Sequence, residues 1–377
     1  MTLETQPTRN VLTGVPEYDA ASESFSDVRA LSAALRFLGK EADLATVMAV
    51  SGEAFRSVAH VEHWSIASAY VSREAVLAAG ARAFGYQPRY LIGASADETW
   101  LAIRDAVDAG QPALSSGILT RNGAPLSTWW FLVRGYDAQE RTVQVAGLPT
   151  GDEAFAPLPA LHGRAATWTG VVKGLELAPA LWAERPIFLL GLNGQPPDPR
   201  TLALETIRRA MQMAGNHTVT VRSEIPYAEG RYALGLNSFE VWADRLKAIT
   251  GRERFLDNAP EDEAGPAAAV ARANGECAER VRCGRRAAAK YLKGVSDLFE
   301  GAAHDALISA AAGYTEVADL AEDYLHLFCG PRALEEQDPL IDRDKRRQGV
   351  LLLREMQALE GAAVAQLEGA LKQAGEV

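Results

Sequence analysis

The chain has 377 residues and a formal net charge of −11, from 49 acidic and 38 basic side chains. This acidic balance argues against general nucleic-acid binding and against docking on an anionic membrane, because both depend on clustered Lys and Arg. The length exceeds what one hydrophobic core usually holds, so two domains are expected.

Hydropathy and cysteine content restrict the class of protein further. No apolar stretch approaches the ~20 residues of a membrane-spanning helix, and the N-terminal segment lacks the apolar core of a secretory signal. Three cysteines in the whole chain indicate a reducing compartment and not a disulfide-linked scaffold. We therefore expect a cytoplasmic protein that binds neither membranes nor nucleic acids.

The segment 24–56 carries the clearest structural pattern. Its apolar residues recur at helical spacing, which predicts a helix with one buried face. They are Val28, Leu31, Leu35 and Leu38. Ser26 stands at the expected N-cap of this helix and Gly39 at its expected C-terminal stop. A second helix is predicted over 44–50.

After residue 85 the pattern changes to short apolar runs separated by Gly and Pro, which indicates an antiparallel sheet. Strands are predicted at 89–92, 112–118, 129–136, 141–145, 167–173 and 187–190, and helices at 73–84 and 97–108. The strands 129–136 and 141–145 are expected to form a hairpin. Helices followed by an antiparallel sheet are typical of the α+β class.

The stretch 192–200 is rich in turn-forming residues and predicts a domain boundary. The N-terminal α+β domain would then cover 1–192 and a C-terminal domain 193–377. The C-terminal domain is predicted to be almost wholly helical, with helices at 201–214, 236–249, 266–299, 303–328 and 342–374. The apolar stripe along the last helix suits an antiparallel helical bundle.

Several segments in this order resemble the C39-like, papain-like cysteine peptidases and, more closely, the butirosin-biosynthesis-protein-H-like domains. The matching segments are 27–39, 51–56, Ala83–Tyr86, Asp108–Ala113, Trp129–Asp137 (WWFLVRGYD) and Gly235–Leu246 (GLNSFEVWADRL). The resemblance covers most of the chain. It implies a papain-like fold for the N-terminal domain.

The positions that carry catalysis in that family hold other residues here. Family enzymes place a cysteine at the start of the first helix, a histidine at the start of the strand before Gly-Tyr-Asp, and often an Asp-Pro after it. This chain has Ser26, the residues 128–130 (TWW) and 146–147 (AG) at the matching positions. The thiolate, its base and the group that orients the base are therefore missing. We expect a protein without peptidase activity that holds a small molecule or a peptide in the former cleft.

Two interpretations of Ser26 remain open. As a catalytic residue, it would be the nucleophile of an acyltransferase or amide-forming enzyme, which the resemblance implies for some relatives. His60 or His63 would then supply the base from another segment. As a structural residue, Ser26 would cap its helix, which typically contributes ~1 kcal/mol.

His60 and His63 stand in the order H-V-E-H with Glu62 between them. On a helix the two histidines would lie on one face, which permits joint ligation of a metal. The alternatives are a packing role or a position beside Trp64 in a ligand-binding groove.

Other residues are candidates for lining the cleft. Trp129 and Trp130 alternate on a strand, so one ring points to the core and the other points away from it. The outward ring would lie at the base of a pocket, and core packing is the alternative. The complete set of ligand-binding candidates is Ser26, His60, His63, Trp64, Ser115, Trp129, Trp130, Tyr136 and Asp137.

The helical half offers a weaker metal hypothesis. Asp297, Glu300 and His304 would share one face of a continuous helix, and Glu322 and His326 form an i, i+4 pair on the next one. The Glu-x-x-His spacing of di-iron proteins is absent from these segments, and a solvated charged face explains the same residues. We expect no cofactor. A homo-oligomer through the helical domain stays open.

Overall fold

The computed structural model describes residues 8–16, 25–62, 64, 73–121, 124–139, 142–147, 167–172, 175–181, 186–215, 217–221, 230–249, 265–329, 340 and 342–376. The fold is α+β, with antiparallel sheets in the N-terminal half and a mainly helical C-terminal half, as expected. Among the described residues, no helix combines the length and the apolar character that crossing a membrane would require.

The helices are α1 (Ser26–Phe37), α2 (Leu44–Ser51), α3 (Arg73–Ala83), α4 (Ala96–Asp108), α5 (Pro199–Ala214), α6 (Leu236–Ala248), α7 (Gly265–Val295), α8 (Ala302–Cys329) and α9 (Arg343–Gln373). The strands are β1 (Arg9–Val11), β2 (Val58–His60), β3 (Tyr86–Leu91), β4 (Ala113–Arg121), β5 (Ala124–Asp137), β6 (Thr142–Ala146), β7 (Thr167–Val172), β8 (Leu175–Leu181), β9 (Ile187–Asn193), β10 (His217–Val221) and β11 (Gly230–Leu234). Short 3₁₀ turns cover Glu53–Phe55 and Ser296–Leu298.

The chain divides into two compact units. The first comprises Met1–Val47 and Leu77–Pro196, and the second comprises Met48–Val76 and Pro197–Val377. The passage at Pro196 lies close to the boundary expected from the turn-rich stretch. The segment Met48–Val76 belongs to the second unit, although the sequence placed it in the N-terminal domain. The contacts of this segment are with residues far along the chain, which a local sequence pattern does not reveal.

The first unit is built on an eight-stranded antiparallel sheet. Strand β5 is its longest member and pairs with β4 along one side, from Ala124 opposite Arg121 to Val133 opposite Ala113. Strand β6 pairs along the other side, and its last pair joins Ala146 to Leu132. Strands β8 and β9 both pair with β4, and β1 pairs with the end of β5.

Helix α1 begins and ends for reasons that lie in its sequence. Val28, Leu31 and Leu35 are buried, as the helical spacing predicted. Gly39 adopts a left-handed φ of 77°, and its N–H donates to the carbonyl of Arg36 while the N–H of the next residue donates to Leu35. This double hydrogen bond is the Schellman arrangement, which favours glycine because a Cβ is disfavoured at that φ.

Helix α4 covers one hydrophobic core of the first unit. Ser95 caps this helix in a reciprocal capping box with Glu98. The buried face of α4 contributes Trp100, Ile103 and Val107, which pack against side chains of β5, β6 and β9. The apolar residues of the helix predicted at 97–108 therefore form the face that packs on the sheet.

The second unit contains a helical core and a small sheet. Helix α8 packs against both α7 and α9, and α5 and α6 pack against α9. This half is mainly helical, as predicted, but it also contains a hairpin of β10 and β11, which β2 extends to a three-stranded sheet. The sequence signal for β10 is the alternation in His217–Val221 (HTVTV).

Candidate functional site

Ser26 is the first residue of α1 and not its N-cap, which corrects the prediction. The N-cap is Phe25, whose φ of 67° is left-handed and whose side chain makes no capping hydrogen bond. Ser26 is buried, and its Oγ accepts a hydrogen bond of 3.1 Å from the backbone N–H of Trp130. The hydroxyl therefore bonds to the sheet and not to the first turn of its own helix.

The hydrogen bond between Ser26 and Trp130 explains how α1 is placed on the sheet. Within the described residues, the last pair between β5 and β6 joins Leu132 to Ala146, two residues along β5 from Trp130. The Ser26 hydroxyl accepts a hydrogen bond from this buried part of the strand and so links α1 to β5. Ser26 and Trp130, both candidates for lining the cleft, are thus joined through the backbone of Trp130 and not through its ring.

The first unit has no cysteine, and no histidine stands among its described residues. Its single histidine, His162, lies outside them. His60, the proposed base for Ser26, belongs to the second unit. A serine hydroxyl becomes a useful nucleophile only when a base removes its proton.

Tyr136 lies in the core beside α4 and not in a pocket at Ser26. Its hydroxyl donates to Asp108 Oδ1 at 2.7 Å, and its ring meets the edge of Trp100. Burial raises the pKa of Tyr136. Tyr136 points into this core because the pairing of β5 is irregular between Val133 and Gly135, which shifts the alternation of side chains along the strand.

The remaining first-unit candidates have structural partners of their own. Ser115 is buried on β4, and its hydroxyl donates to the carbonyl of Pro186 at 3.1 Å. Asp137 accepts a hydrogen bond from the Gln139 N–H in the turn after β5. The side chain of Trp129 lies outside the described residues, so only its partner Trp130, whose side chain is buried, is placed.

His60 ends strand β2, so the helical placement that joint ligation by His60 and His63 would need does not occur at His60. Its Nδ1 accepts a hydrogen bond from the Glu62 N–H at 3.0 Å, and its ring packs edge-on against Tyr232. His63 lies outside the described residues. Trp64 packs against the helical core of the second unit. His60 is thus a buried packing residue with one ring nitrogen already engaged.

The predicted acidic face of the helical half does not form. Asp297 lies in a 3₁₀ turn after α7, and Glu300 precedes α8, so the two do not share a helix with His304. The His304 ring lies near Asp297 and Asp305, with nitrogen–oxygen distances of 3.7 and 3.2 Å. The chain turns at Gly301, which a continuous helical pattern could not reveal.

Glu322 is engaged by basic side chains. Its Oε2 accepts hydrogen bonds of 2.9 Å from both Arg282 and Arg286, and His326 lies 3.8 Å from Oε1. Partial burial would raise the pKa of Glu322, but hydrogen bonding and the charge of Arg282 outweigh it and lower the pKa. Within the described ranges, no three His, Cys, Asp or Glu side chains are grouped so as to hold a metal ion.

The first unit carries an open groove of about 710 Å³ that the sequence did not predict. It follows α1 from its second turn to the loop before α2. We call it the α1–α2 groove, and it is lined by Arg29, Ser32, Ala33, Arg36, Lys40, Glu41, Ala42, Asp43, Leu44 and Thr46. Its volume lies in the range of small-molecule sites.

Hydrogen bonds hold the walls of the α1–α2 groove. The Ser32 hydroxyl donates to the carbonyl of Ala42 at 2.6 Å, which ties α1 to the loop. Asp43 caps α2, accepting from the Ala45 N–H at 3.1 Å and from the Thr46 hydroxyl at 2.5 Å. Lys40 reaches Asn193 and lies over a tyrosine ring. The groove is therefore preformed.

The second unit buries a group of charged side chains that the sequence also did not predict. The carboxylate of Glu53 lies 3.2 Å from Arg56, 3.0 Å from Arg73 and 2.6 Å from Arg280. Burial would raise the pKa of Glu53, but the charges of the three arginines outweigh it and lower the pKa to about 2. A cavity of about 30 Å³ beside this cluster has room for about one water molecule.

No protein-family model matches the chain, and no functionally characterised protein is significantly similar to it.

Proposed function

We propose that the chain is a non-proteolytic binding protein, and that its N-terminal unit is a papain-like domain that has lost its catalytic residues. One observation carries the proposal. Ser26 stands where the resembling enzymes hold their nucleophile. Its hydroxyl is buried and accepts a hydrogen bond from the N–H of Trp130.

The energetics of this hydrogen bond favour a structural role for Ser26. A net contribution of ~1 kcal/mol is typical for such a bond, and a buried donor left without a partner costs ~1–3 kcal/mol. The bond uses one acceptor position of the Ser26 oxygen and fixes the side chain against β5. The absence of cysteine from the first unit points the same way.

The α1–α2 groove supports the binding role. It is large enough for a small molecule or a short peptide, and it lies along the same helix as Ser26. We also propose a cytoplasmic location, which the free thiols of Cys277 and Cys283 support.

The proposal is tested by incubating the full chain with an unfolded protein substrate and a mixture of short peptides, followed by mass spectrometry. The expected result is that every substrate survives intact, with the wild type and Ser26→Ala indistinguishable. Cleavage by the wild type that Ser26→Ala abolishes would overturn the proposal.

One observation favours a second candidate, an acyltransferase that uses Ser26. Phe25 is the only described non-glycine residue with a left-handed φ, and such strain often marks reactive positions. Incubation with an activated acyl thioester distinguishes the two functions. A mass increase on Ser26, absent from Ser26→Ala, supports acyl transfer, and an unmodified protein supports the binding role.

A further inference from the structure

Strand β10 is an edge of the small sheet in the second unit. That sheet has the order β10–β11–β2, so among the described residues β10 has a strand partner on one side only. Its pairing with β11 runs without irregularity from His217 opposite Leu234 to Val221 opposite Gly230. In an antiparallel pair, alternate residues direct their N–H and C=O groups away from the partner strand. The outer side of β10 therefore carries a row of main-chain donors and acceptors.

The side chains of β10 leave this edge accessible. His217, Thr218 and Thr220 are exposed, and Val219 is half-buried. The strand contains no proline and no Lys, Arg, Asp or Glu. Proline and charged side chains are the usual means by which a sheet edge avoids pairing with another chain. The sequence of β10 uses neither.

The edge strand β3 of the first unit differs from β10 in each of these respects. Within the described part of the chain it pairs with β9 alone. It contains Pro88 and the charged Arg89, and its pairing is irregular between Gln87 and Arg89. All of these features hinder the addition of a further strand. The contrast indicates that β10 is able to accept one.

The sequence of β10 is complementary to a second copy of itself. A two-fold axis beside Val219 would place this residue opposite its equivalent in an antiparallel second strand. Thr218 then lies opposite Thr220 of the second copy, and Thr220 lies opposite Thr218. Pairs of threonines and of β-branched residues are favourable across antiparallel strands. Because β10 has no formal charge, the two strands meet without charge repulsion although each chain is acidic.

We infer that β10 is a self-association surface, at which two copies of this chain pair their β10 strands antiparallel. The two three-stranded sheets then form one sheet of six strands. Main-chain hydrogen bonds supply the contact, as they do when a peptide strand is added to an exposed sheet edge. Five residues from each copy bury less than the ~800 Å² per partner of a stable interface, so the dimer is weak and dissociates on dilution. This association is independent of the ligand-binding function proposed above.

The oligomeric state of the full chain tests this surface. Sedimentation velocity is measured from ~1 to ~300 μM protein, a range that covers weak protein–protein contacts. The mass of the wild type is expected to rise with concentration from that of a monomer towards that of a dimer. A wild type that stays monomeric over the whole range overturns the inference.

Substitutions at the two facing threonines test the register. Thr218→Lys/Thr220→Lys places lysine opposite lysine twice, and the dimer should weaken by about tenfold or more. Thr218→Lys/Thr220→Glu is the matched control, because it places lysine opposite glutamate twice and should associate at least as tightly as the wild type. A mixture of the doubly lysine variant with Thr218→Glu/Thr220→Glu should form a heterodimer, although neither variant associates alone.

The melting temperature of each variant shows whether the fold is kept. It should stay close to that of the wild type, because both threonines are exposed. Thr220 lies opposite Arg231 on β11, so the doubly glutamate variant repeats the test without adding a positive charge there.

The sedimentation results of the variants decide the outcome. Unchanged association of both like-charged variants places the contact elsewhere on the chain and overturns the inference. Equal loss of association in the like-charged variants and in Thr218→Lys/Thr220→Glu contradicts the pairing of Thr218 with Thr220, and so overturns it too.

Discussion

Arg285 on α7 and Glu360 on α9 form a two-pronged ion pair with both side chains buried. Nε donates to Oε2 at 2.7 Å and Nη2 to Oε1 at 2.5 Å. The remaining donor of Arg285 reaches the carbonyls of Ala54 and Arg56 at 2.8 and 3.1 Å. One side chain therefore joins two helices and the Glu53–Phe55 turn within the second unit.

Truncation of Arg285 should strongly destabilise the second unit. Arg285→Met leaves the Glu360 carboxylate buried without its partner, and we expect a loss of about 3–5 kcal/mol in the free energy of unfolding. Urea denaturation measures this loss. Arg286→Met is the matched control on the same helix, because Arg286 is half exposed and its pair with Glu322 should contribute no more than ~1 kcal/mol.

The double variant Arg285→Met/Glu360→Leu sharpens this test. It should be less destabilised than the sum of its single variants, because neither charge is then left unpaired. Strict additivity of the two substitutions would show that the ion pair contributes nothing.

The stability of the second unit should fall in acid because of Glu53. Its pKa is about 2 in the folded chain against 4.5 for an unperturbed glutamate, so the ionised form is stabilised by folding. The contribution, roughly 3 kcal/mol, is complete above pH 4.5 and disappears as the pH falls towards 2. Glu53→Gln should flatten this part of the pH profile, as measured by denaturation between pH 2 and 7.

Glu98→Gln is the control variant for the acid denaturation of Glu53→Gln. Glu98 is an exposed capping residue of the first unit, and Glu98→Gln should leave the acid profile of the second unit unchanged. An identical acid profile for the wild type and Glu53→Gln would contradict the assignment of a low pKa.

Gly235 should tolerate no side chain. Its φ is 63°, and a Cβ there would lie 2.4 Å from the carbonyl oxygen of Ala214. Gly301 has a φ of 57° and open space around it, so Gly301→Ala isolates the cost of the left-handed backbone, ~1 kcal/mol. Gly235→Ala should lower the melting temperature by clearly more than Gly301→Ala, and equal shifts would exclude the clash.

The two described cysteines of α7 should differ in reactivity. Burial raises the pKa of the Cys277 thiol to about 12, so almost no thiolate is present at neutral pH. Both side chains are half-buried, and the thiol of Cys283 donates to Glu279. Iodoacetamide labelling at pH 8 with peptide mapping should modify Cys283 first, and faster labelling of Cys277 would contradict its raised pKa.

Short-range sequence patterns predicted much of the fold, because helix formation and helix ends depend on residues close together in the chain. The apolar spacing of α1, the stop at Gly39 and the long helices of the second unit follow from helical periodicity and from backbone conformations that favour glycine. The hairpin of β10 and β11 was missed because its surroundings are helical. The end of α7 at Val295 was hidden by the helix-forming residues around it.

Tertiary contacts decided the parts of the site that the sequence did not predict. Ser26 looked like a helix cap, but a strand more than a hundred residues away uses its hydroxyl. Tyr136 was misplaced because an irregularity in β5 changes the alternation that places side chains. The α1–α2 groove joins residues adjacent in sequence, but its walls are held by contacts between helix and loop that no sequence pattern marks.

The reactivity of Ser26 tests the central claim most directly. The full chain is incubated with a fluorophosphonate, which modifies serines that a neighbouring base activates, and its intact mass is measured beside that of Ser26→Ala. We predict that Ser26 stays unmodified, because its oxygen is buried and accepts the Trp130 N–H. One covalent adduct on the wild type that is missing from Ser26→Ala would contradict the account.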